Sequence, residues 1–473
     1  MARTRVIYQS EAVYVSQDVA YNVAQTGNGP LPNANSFNIQ DLNRIQSANY
    51  SFNVTRQDVN QFGELAAIDQ CIVEAPTVSF DTSYYLANFT NEYRLGFFVT
   101  QSGEGGTYAS DGPQADTANT KSAITNLIDS SSNAYQKNYY ILTTKEGKDA
   151  NRVQPSGVPL NASGDFESII GIGNGFLSSY STEGAVGGMP TVSISVEGQN
   201  MNFVKMPYTG AAGANVWNTP TPNQGFRTSG AGATPGVSGA LGQLIGISGQ
   251  SPAVNPVDGS RYDFPVCLPI PTGNATGNSS ADMGLISTLR PGDITLTLAK
   301  QTGVGIFDAA TGTMGTDGNT DAFRGMDEPD YAGASIEDAH ITSYNLSFDL
   351  ARTPIQKLGV KYAFARPVDF PISVSLGVEA IVSDLTSGSL ADVINCDHAF
   401  DARITLRDPT CDTSPKPIVC NYVVKGLKLN SESYSSDIGS NKTVSLDFTT
   451  QIGGPSQKSK GVFMSGYHSI NKP

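Results

Sequence analysis

Few residues in this chain are of the types that perform catalysis. The three histidines are His340, His398 and His468, in a chain of 473 residues. None of them lies in a G-x-S-x-G elbow, an H-E-x-x-H helix or a Cys–His arrangement, the patterns that activate a nucleophile or hold a catalytic metal. We therefore expect no nucleophilic catalysis and interpret the protein as a non-enzyme.

Two stretches match metal-binding patterns only in part. Cys396, Asp397 and His398 are neighbours in sequence, and such neighbours rarely converge on one ion. Residues 317–328 (DGNTDAFRGMDE) space their carboxylates like a calcium loop, but Ala322 occupies the position where the sharp turn requires glycine. We predict no metal at the first stretch and a solvated loop at the second, for which calcium binding stays an open question.

A third pattern is the glycine spacing of Gly171, Gly173 and Gly175. It matches a dinucleotide-binding fingerprint superficially, but no helical pattern follows it. We predict a strand edge or a turn there, and no cofactor. The paired carboxylates of a glycosidase stay open, because such pairs meet only in three dimensions.

Composition and charge limit the class of protein. The chain has 29 Lys and Arg against 43 Asp and Glu, a formal net charge of −14. It lacks the clustered cations that grip phosphates, so tight binding of nucleic acid is not expected. Only 15% of the residues are charged, and 49 glycines and 26 prolines are present. That composition is typical of many short strands and turns, and the length predicts two or three domains.

Cysteines and apolar runs give two further expectations. The five cysteines lack the paired spacing of a zinc site and are interpreted as buried or incidental thiols. They are Cys71, Cys267, Cys396, Cys411 and Cys420. No run reaches the roughly 18 to 20 apolar residues of a spanning helix, and the start MARTRVIYQS lacks the apolar region of a signal peptide. We expect synthesis in the cytosol and no membrane segment.

The chain repeats itself. Residues 45–80 align with 341–376 without a gap, with ten identities in 36 positions, among them Arg56 with Arg352 and Gly63 with Gly359. Further on, SSYSTEGAVGGMPTVSI (178–194) aligns with ESYSSDIGSNKTVSL (432–446) if a two-residue gap is allowed, which matches Tyr180 with Tyr434. Two collinear blocks indicate duplication. The Gly-, Ala-, Ser-, Thr- and Pro-rich stretch 206–260, which contains Trp217, is predicted to be a linker or insertion between domains 1–205 and 261–473.

The repeated blocks alternate apolar and polar residues with a period of two, which predicts half-buried strands of antiparallel sheets. The predicted strands are 48–55, 78–81 and 192–197 in the first copy, and 344–350, 372–379 and 444–449 in the second. Each copy also has one short helical pattern, 122–129 and 389–395, opened by a serine that would cap it. Residues 56–70 and 352–366 are expected to turn over the shared glycine and return as a long hairpin arm.

The repeated residues resemble the tail tube proteins of long-tailed bacteriophages. The similarity lies in LNRIQSANYSFNVTRQDVNQFGELAAIDQ (42–70), EAPTVSFDTSYYL (74–86) and GLKLNSESYSSDIGSNKTVSLDFTTQIGGP (426–455). The resemblance implies a mainly β fold of two tandem tail-tube-like β-sandwich domains. Each domain would have a short helix and a long hairpin that contributes to a shared pseudo-hexameric β-barrel. Three chains would then form a ring, and stacked rings would form the tail tube in the virion.

The resemblance further implies other tail proteins as partners, namely the tape measure, the tail tip or baseplate and the terminator, together with transient passage of double-stranded DNA. The polar faces of the predicted strands would then line the lumen. The predicted lumen-lining residues are Asn49, Ser51, Asn53, Thr55, Ser79, Asp81, Glu197, Asn345, Ser347, Asp349, Ser373, Ser375, Glu379 and Asp447. Since these strands carry no Lys or Arg on those faces, phosphates would find no fixed docking point.

Two other functions remain as alternatives. One is a trimeric baseplate hub or tail-tip protein, which would be present at one ring per particle. The other is a carbohydrate-binding or depolymerising β-sandwich, favoured by the 20 tyrosines. Segments 102–120, 209–258 and 298–335 are candidate arms for contacts between rings, because long insertions are often functional.

Overall fold

A computed structural model describes the two copies and parts of the chain between them. The described residues are 11–16, 39–74, 76–100, 122–129, 135–144, 166–205, 247–250, 254, 265–268, 289–300, 339–360, 362–382, 399–407, 418–435, 441–454 and 460–466. These residues are mainly β, as the composition predicts, and most of the strands form one large antiparallel network.

The secondary-structure elements follow the chain in this order. The first part contains β1 (Ala12–Ser16), β2 (Ile39–Leu42), β3 (Ile45–Asn53), β4 (Arg56–Val59), β5 (Asp69–Ile72), β6 (Thr77–Tyr85), α1 (Thr90–Leu95), β7 (Val99–Thr100), α2 (Thr125–Ile128), β8 (Lys137–Thr144), β9 (Phe166–Ala185), β10 (Thr191–Gly198) and β11 (Asn200–Lys205). The second part contains β12 (Ile247–Gln250), β13 (Pro265–Leu268), a 3₁₀ turn (Pro291–Asp293), β14 (Ile294–Lys300), β15 (Ala339–Asp349), β16 (Ile372–Val382), β17 (Phe400–Arg407), β18 (Ile418–Ser435), β19 (Thr443–Ile452) and β20 (Gly461–Gly466).

A main sheet runs through both copies. Its strand order is β3, β6, β10, β9, β15, β16, β19, β18. The first four strands are called the first quartet and the last four the second quartet. The two quartets are joined edge to edge, because β9 pairs antiparallel with β15 from Ser179 opposite Asp349 to Ala185 opposite Ser343.

The quartets repeat each other in register and in their irregularities. Each register shift in the first quartet has a counterpart in the second. For example, the shift between Ile45 and Ser47 on β3 matches the shift between Ile341 and Ser343 on β15. The partner strands agree as well, since Thr191 opposes Glu183 and Thr443 opposes Ser435. Because β-bulges are characteristic features of a fold, their equivalent positions indicate that both copies use the same pairing scheme.

The register corrects the alignment of the second repeated block. Tyr180 opposes Ile194, whereas Tyr434 opposes Val444, the counterpart of Val192. The counterpart of Tyr434 is therefore Thr182, and the two-residue gap that matched Tyr180 with Tyr434 is wrong. The gap aligned like side chains but ignored the strand pairing, which has the same register in the strands of both copies.

A back sheet covers one face of each quartet. The long strands β9 and β18 leave the main sheet and continue into the back sheets, where β9 pairs with β8 and β11, and β18 pairs with β17 and β20. β1 and β14 extend these sheets in corresponding positions. Tyr139 of β8 contacts Phe80 of β6 at 5.5 Å, and Phe400 of β17 contacts Phe448 of β19 at 6.0 Å. In both copies, strands of a back sheet therefore pack against strands of the quartet.

One hydrophobic core passes through both copies. The buried carboxyl of Glu92 on α1 accepts hydrogen bonds from the hydroxyls of two residues of this core, Tyr84 at 2.9 Å and Tyr180 at 3.3 Å. The Tyr180 hydroxyl also bonds the Tyr422 hydroxyl of the second copy at 2.8 Å. Burial raises the pKa of Glu92 to about 7, because a charged carboxylate loses its hydration there.

The helices differ from the sequence expectation. The pattern at 122–129 forms only the short helix α2, whose N-cap is Ile124 and not a serine. The Ser122 hydroxyl instead donates to the carbonyl of Val462 at 3.3 Å. The alternation analysis did not find α1, which ends at Gly96 with a φ of 105°. The second helical pattern, 389–395, lies outside the described residues.

One further expectation, at the spaced glycines, is corrected. Gly171, Gly173 and Gly175 lie inside β9 and form no turn. Gly171 is paired on both sides, with β11 and β8, whereas Gly173 opposes Asn200 of β11 and Gly175 opposes Lys137 of β8. β12, inside the predicted linker or insertion 206–260, pairs with β13, which follows that stretch. The backbone of Val254 exchanges two hydrogen bonds with the side chain of Asn174. Trp217, Cys396, His398, residues 317–328 and the three candidate ring-contact segments, apart from the described parts of 209–258 and 298–300, lie outside the described residues.

Replacing Glu92 by glutamine tests the buried carboxyl. The pKa of Glu92 in the folded protein, about 7, lies above its ordinary value of 4.5, so protonation of this carboxyl stabilises the folded state. The stabilisation is fully present below about pH 4.5 and is lost as the pH rises to 7. Glu92→Gln removes this dependence. The difference in melting temperature, variant minus wild type, should become more favourable to the variant between pH 4.5 and 7. Parallel profiles would contradict the assignment.

Candidate functional site

The second face of the main sheet is polar and carries the residues proposed for the lumen. Every one of the predicted lumen-lining residues has its side chain exposed except Ser347, which is half-buried. The strand registers place their neighbours side by side: Asn49 opposes Asp81, and Asn345 opposes Glu183. Across the sheet, a row of hydroxyl residues runs through Ser47, Ser83, Ser193, Ser181, Ser347, Ser375 and Thr449.

Hydroxyl groups hold the carboxylates of this face in place. Ser195 donates to Asp81 at 2.6 Å, and Ser343 donates to Glu379 at 3.0 Å. Thr191 donates to Glu183 at 2.9 Å, and Ser431 donates to Asp447 at 2.7 Å. These bonds cross between neighbouring strands, so each exposed carboxylate is held against the adjacent strand.

Two cations modify the expectation of a face without Lys or Arg. Arg366 forms an ion pair with Glu197 at 2.9 Å, and its own side chain is buried. Lys428 of β18 continues the hydroxyl row beyond Thr449. The alternation of the predicted strands did not reveal these two cations. Arg366 comes from the hairpin arm, and Lys428 lies on β18, which was not among the predicted strands. Both cations lie where the main sheet meets a back sheet, and the central strands keep an acidic face.

The two outer strands of the main sheet expose aromatic side chains. Tyr50 and Phe52 on β3 are 41% and 45% exposed, and Tyr434 on β18 is 49% exposed. Their counterparts on the inner strands, Leu346 and Phe348 of β15, are buried against β9. Alternation predicted that Tyr50 and Phe52 face the core; within the single chain they remain exposed, because β3 has no neighbour on its outer side among the described strands.

Two hairpin arms extend from the quartets, as the sequence predicts. Arm 1 (residues 56–72) pairs Arg56 with Ile72, and arm 2 (residues 352–368) pairs Arg352 with Val368. Each arm turns over a glycine with a positive φ, 96° at Gly63 and 86° at Gly359. The arms differ in burial: every residue of arm 1 is exposed, whereas arm 2 has buried side chains along one side.

Arm 2 is docked on the first copy. The guanidinium of Arg352 lies 4.9 Å from the ring centroid of Tyr135 and 5.1 Å from that of Phe176, and donates to the carbonyl of Leu127 at 2.7 Å. The Tyr135 hydroxyl donates to the carbonyl of Arg366 at 2.6 Å. Gln199 donates from its side chain to the carbonyl of Ala363 at 3.2 Å. The second copy thus contacts the first through arm 2 as well as through strand pairing.

Metal-ligating side chains do not cluster among the described residues. No group of three or more His, Cys, Asp or Glu side chains among them is arranged to hold a metal ion. Cys420 is buried, and Cys71 is exposed on arm 1. The hydrogen bond from the Cys71 thiol to Asp69, with the charge of that carboxylate, raises the pKa of the thiol and so lowers its reactivity.

The described helices are short. None of them has the length and apolar character needed to cross a membrane, and the longer one, α1, has six residues.

Comparison with known proteins includes a weak structural likeness to a tail particle. No family model matches the chain, and no curated protein matches it. A solved structure described as the tail of an empty GTA particle, computed with helical refinement and C6 symmetry, is 12% identical in sequence. The match covers 34% of this chain and 93% of that chain, with a TM-score of 0.20. At that TM-score the likeness supports no conclusion about fold or function.

Truncating Arg352 tests how firmly arm 2 is docked. Arg352→Ala removes the hydrogen bonds to the carbonyls of Leu127 and Arg366 and two ring contacts. It should lower the free energy of unfolding by about 2–4 kcal/mol. Arg352→Lys should recover only part of this, because one ammonium cannot reproduce the planar fork between two rings. Urea unfolding of the three proteins measures both effects. A lysine variant as stable as the wild type would show that the fork geometry is unimportant.

Proposed function

We propose that this protein is a phage tail tube subunit. Three chains close into a pseudo-hexameric ring, and stacked rings form the conduit through which DNA is ejected. The observation that carries the proposal is the order of the main sheet: its outer strands, β3 and β18, are the counterparts of β15 and β9, which already pair with each other inside the chain. The resemblance of residues 42–70, 74–86 and 426–455 to tail tube proteins supports the same conclusion.

The strand arrangement favours closure of a ring over an open dimer. The two quartets are joined head to tail, so the same contact can be repeated between chains. A head-to-tail contact either closes into a ring or continues as a filament. Closure would also remove two sheet edges that otherwise invite aggregation.

The strand count fits a channel. Each chain supplies the eight strands of the main sheet, so three chains would supply 24. At about 4.8 Å per strand and a tilt near 40°, such a barrel has a backbone diameter of roughly 45 to 50 Å. Side chains reduce this width but leave room for a DNA duplex.

The polar face is the one suited to the lumen. The opposite face of each quartet is covered by a back sheet, and in a closed ring the added layer fits on the side of larger radius. The bare face with Asp81, Asp349, Glu379 and Asp447 would then surround the passing DNA. Carboxylates held by neighbouring hydroxyls repel phosphates and provide no cationic docking point.

The direct test is an image of the purified protein with its mass in solution. Negative-stain views down the axis should show rings or tubes with six similar lobes, and native mass spectrometry should show three chains per ring. A protein that stays monomeric at high concentration would contradict the proposal. Rings of six chains would contradict the pseudo-hexameric closure.

Paired cysteines test the expected register between chains. Within the chain, Ser347 opposes Ser181. The counterpart of Ser347 is Ser51 and that of Ser181 is Ser433, so Ser51 of one chain should oppose Ser433 of the next. Ser51→Cys with Ser433→Cys should therefore give covalent dimers and trimers on a non-reducing gel. The matched control, Ser347→Cys with Ser181→Cys, should link within one chain and leave its mass unchanged.

A second control shifts the register by one residue. Ser51→Cys with Glu432→Cys places the two thiols on opposite faces of the sheet, because side chains alternate along a strand. This pair should remain unlinked. Linking of the shifted pair, without linking of the first pair, would show that the strands meet in another register.

Charge reversal tests the face proposed for the lumen. Rings that carry Asp81→Lys, Asp349→Lys and Glu379→Lys should retain short duplex DNA in a sedimentation assay, and added salt should release it. Wild-type rings should retain none. The neutral set, Asp81→Asn, Asp349→Asn and Glu379→Gln, separates the loss of repulsion from the gain of attraction. Equal DNA retention by wild-type and lysine rings would show that the face does not meet the DNA.

A further inference from the structure

We infer that arm 1 docks on the second copy of the neighbouring chain, just as arm 2 docks on the first copy of its own chain. The inference rests on the proposed ring and adds a second contact to it, separate from the pairing of β3 with β18. The partner is another molecule of this protein, and its receiving surface lies beside β19.

The two arms are built alike. Arg56 opposes Ile72 and Val59 opposes Asp69, and the same positions of arm 2 form the bridges of Arg352 with Val368 and Ile355 with Ala365. The residue whose carbonyl accepts the bond from Gln199 is Ala363, and its counterpart in arm 1 is also alanine, Ala67. Arm 1 is therefore shaped like an arm that has a docking site.

The receiving surface is repeated as well. Gln199 follows β10, lies beneath arm 2 and is 3% exposed. Its counterpart after the same strand pairing is Gln451 of β19, which is again glutamine and is exposed. The Gln451 side chain is thus positioned to donate to the carbonyl of Ala67 of a neighbouring chain. In the single chain this surface has no arm on it, and arm 1 has no described surface beneath it.

Exposure along arm 1 also indicates an absent partner. Its apolar side chains include Val59 at 40%, Ile68 at 48% and Ile72 at 44% exposed, while Val368, the docked counterpart of Ile72, is 9% exposed. Docking would bury the Ile72 side of the arm. It would leave the other side free, because Phe364, the counterpart of Ile68, stays 44% exposed in the docked arm.

The interface between chains differs from the internal one in charge. At the position of Phe176, which packs against Arg352, the second copy has Lys428. At the position of Glu197, which pairs with Arg366, the second copy has Thr449, and arm 1 has Gln70 at the position of Arg366. Two favourable contacts of arm 2, the stacking on Phe176 and the ion pair, are therefore missing. We expect arm 1 to dock more weakly than arm 2 and to do so only in the assembled ring.

Thiol labelling tests the position of arm 1 in assembled rings. In the docked orientation a cysteine at Ala67 faces the neighbour, whereas native Cys71, the counterpart of exposed Pro367, faces solvent. Ala67→Cys should therefore be labelled about tenfold more slowly in rings than in unassembled protein, while Cys71 is labelled alike in both. Peptide mapping distinguishes the two sites. Equal labelling at Ala67→Cys in both states would overturn the inference.

Two adjacent substitutions give a matched test of assembly. Ala67→Arg should block docking and raise the concentration needed for half-maximal ring formation by about tenfold. Ile68→Arg should leave ring formation unchanged, because its side chain points away from the neighbour. Both positions are exposed in the single chain, so neither variant should change the melting temperature of unassembled protein.

The outcomes separate this inference from the proposed function. Absence of wild-type rings would overturn the ring itself. Rings that form equally well with Ala67→Arg would overturn only the docking of arm 1. If Ala67→Arg leaves single rings intact and prevents tubes, arm 1 contacts the next ring instead of its neighbour within the ring, and the inference is wrong.

Discussion

The pairing of β9 with β15 is the contact on which this architecture depends. It joins two quartets that each would end in an unpaired edge, and it buries Leu346 and Phe348 against Tyr180 and Thr182. The stacked rings of Tyr180 and Phe348, 5.3 Å apart, add an aromatic contact across the junction. An edge strand with an apolar face is stable in water only when another strand covers it. Within the chain, β9 and β15 cover each other's edges, whereas the outer edges of β3 and β18 in the main sheet are left without such a partner.

Period-two alternation identified those strands that have one wet face. Residues 48–55 and 344–350 alternate because their polar side chains meet solvent, and the structure has strands at both. The back-sheet strands were not found, because β8 is buried along its whole length and carries no alternation. The shared glycines Gly63 and Gly359 were sufficient to predict the arms, since a positive φ favours glycine.

Other features depended on contacts that no local pattern contains. Docking of arm 2 joins Arg352 to Tyr135 and Phe176, which lie far apart in sequence. The alignment of Tyr180 with Tyr434 failed because similarity of side chains competed with continuity of strand pairing, and pairing determines the structural counterpart. The buried carboxyl of Glu92 was equally hidden: its hydroxyl partners come from three separate parts of the chain, directly or through Tyr180.

Duplication within one chain changes the energetics of assembly. A ring of six separate copies must form six junctions between molecules, whereas a ring of three duplicated chains has half of its junctions made in advance. Each covalent connection replaces a bimolecular step by an intramolecular one at high effective concentration. The internal junction can then become specialised for stability, with Phe176 under Arg352 and Glu197 paired with Arg366. The proposed junction between chains, with Lys428 and Thr449 at those positions, would retain the geometry but not the strongest contacts. Such a difference would keep the single chain folded before assembly while leaving the joining of chains reversible enough to correct errors as a tube grows.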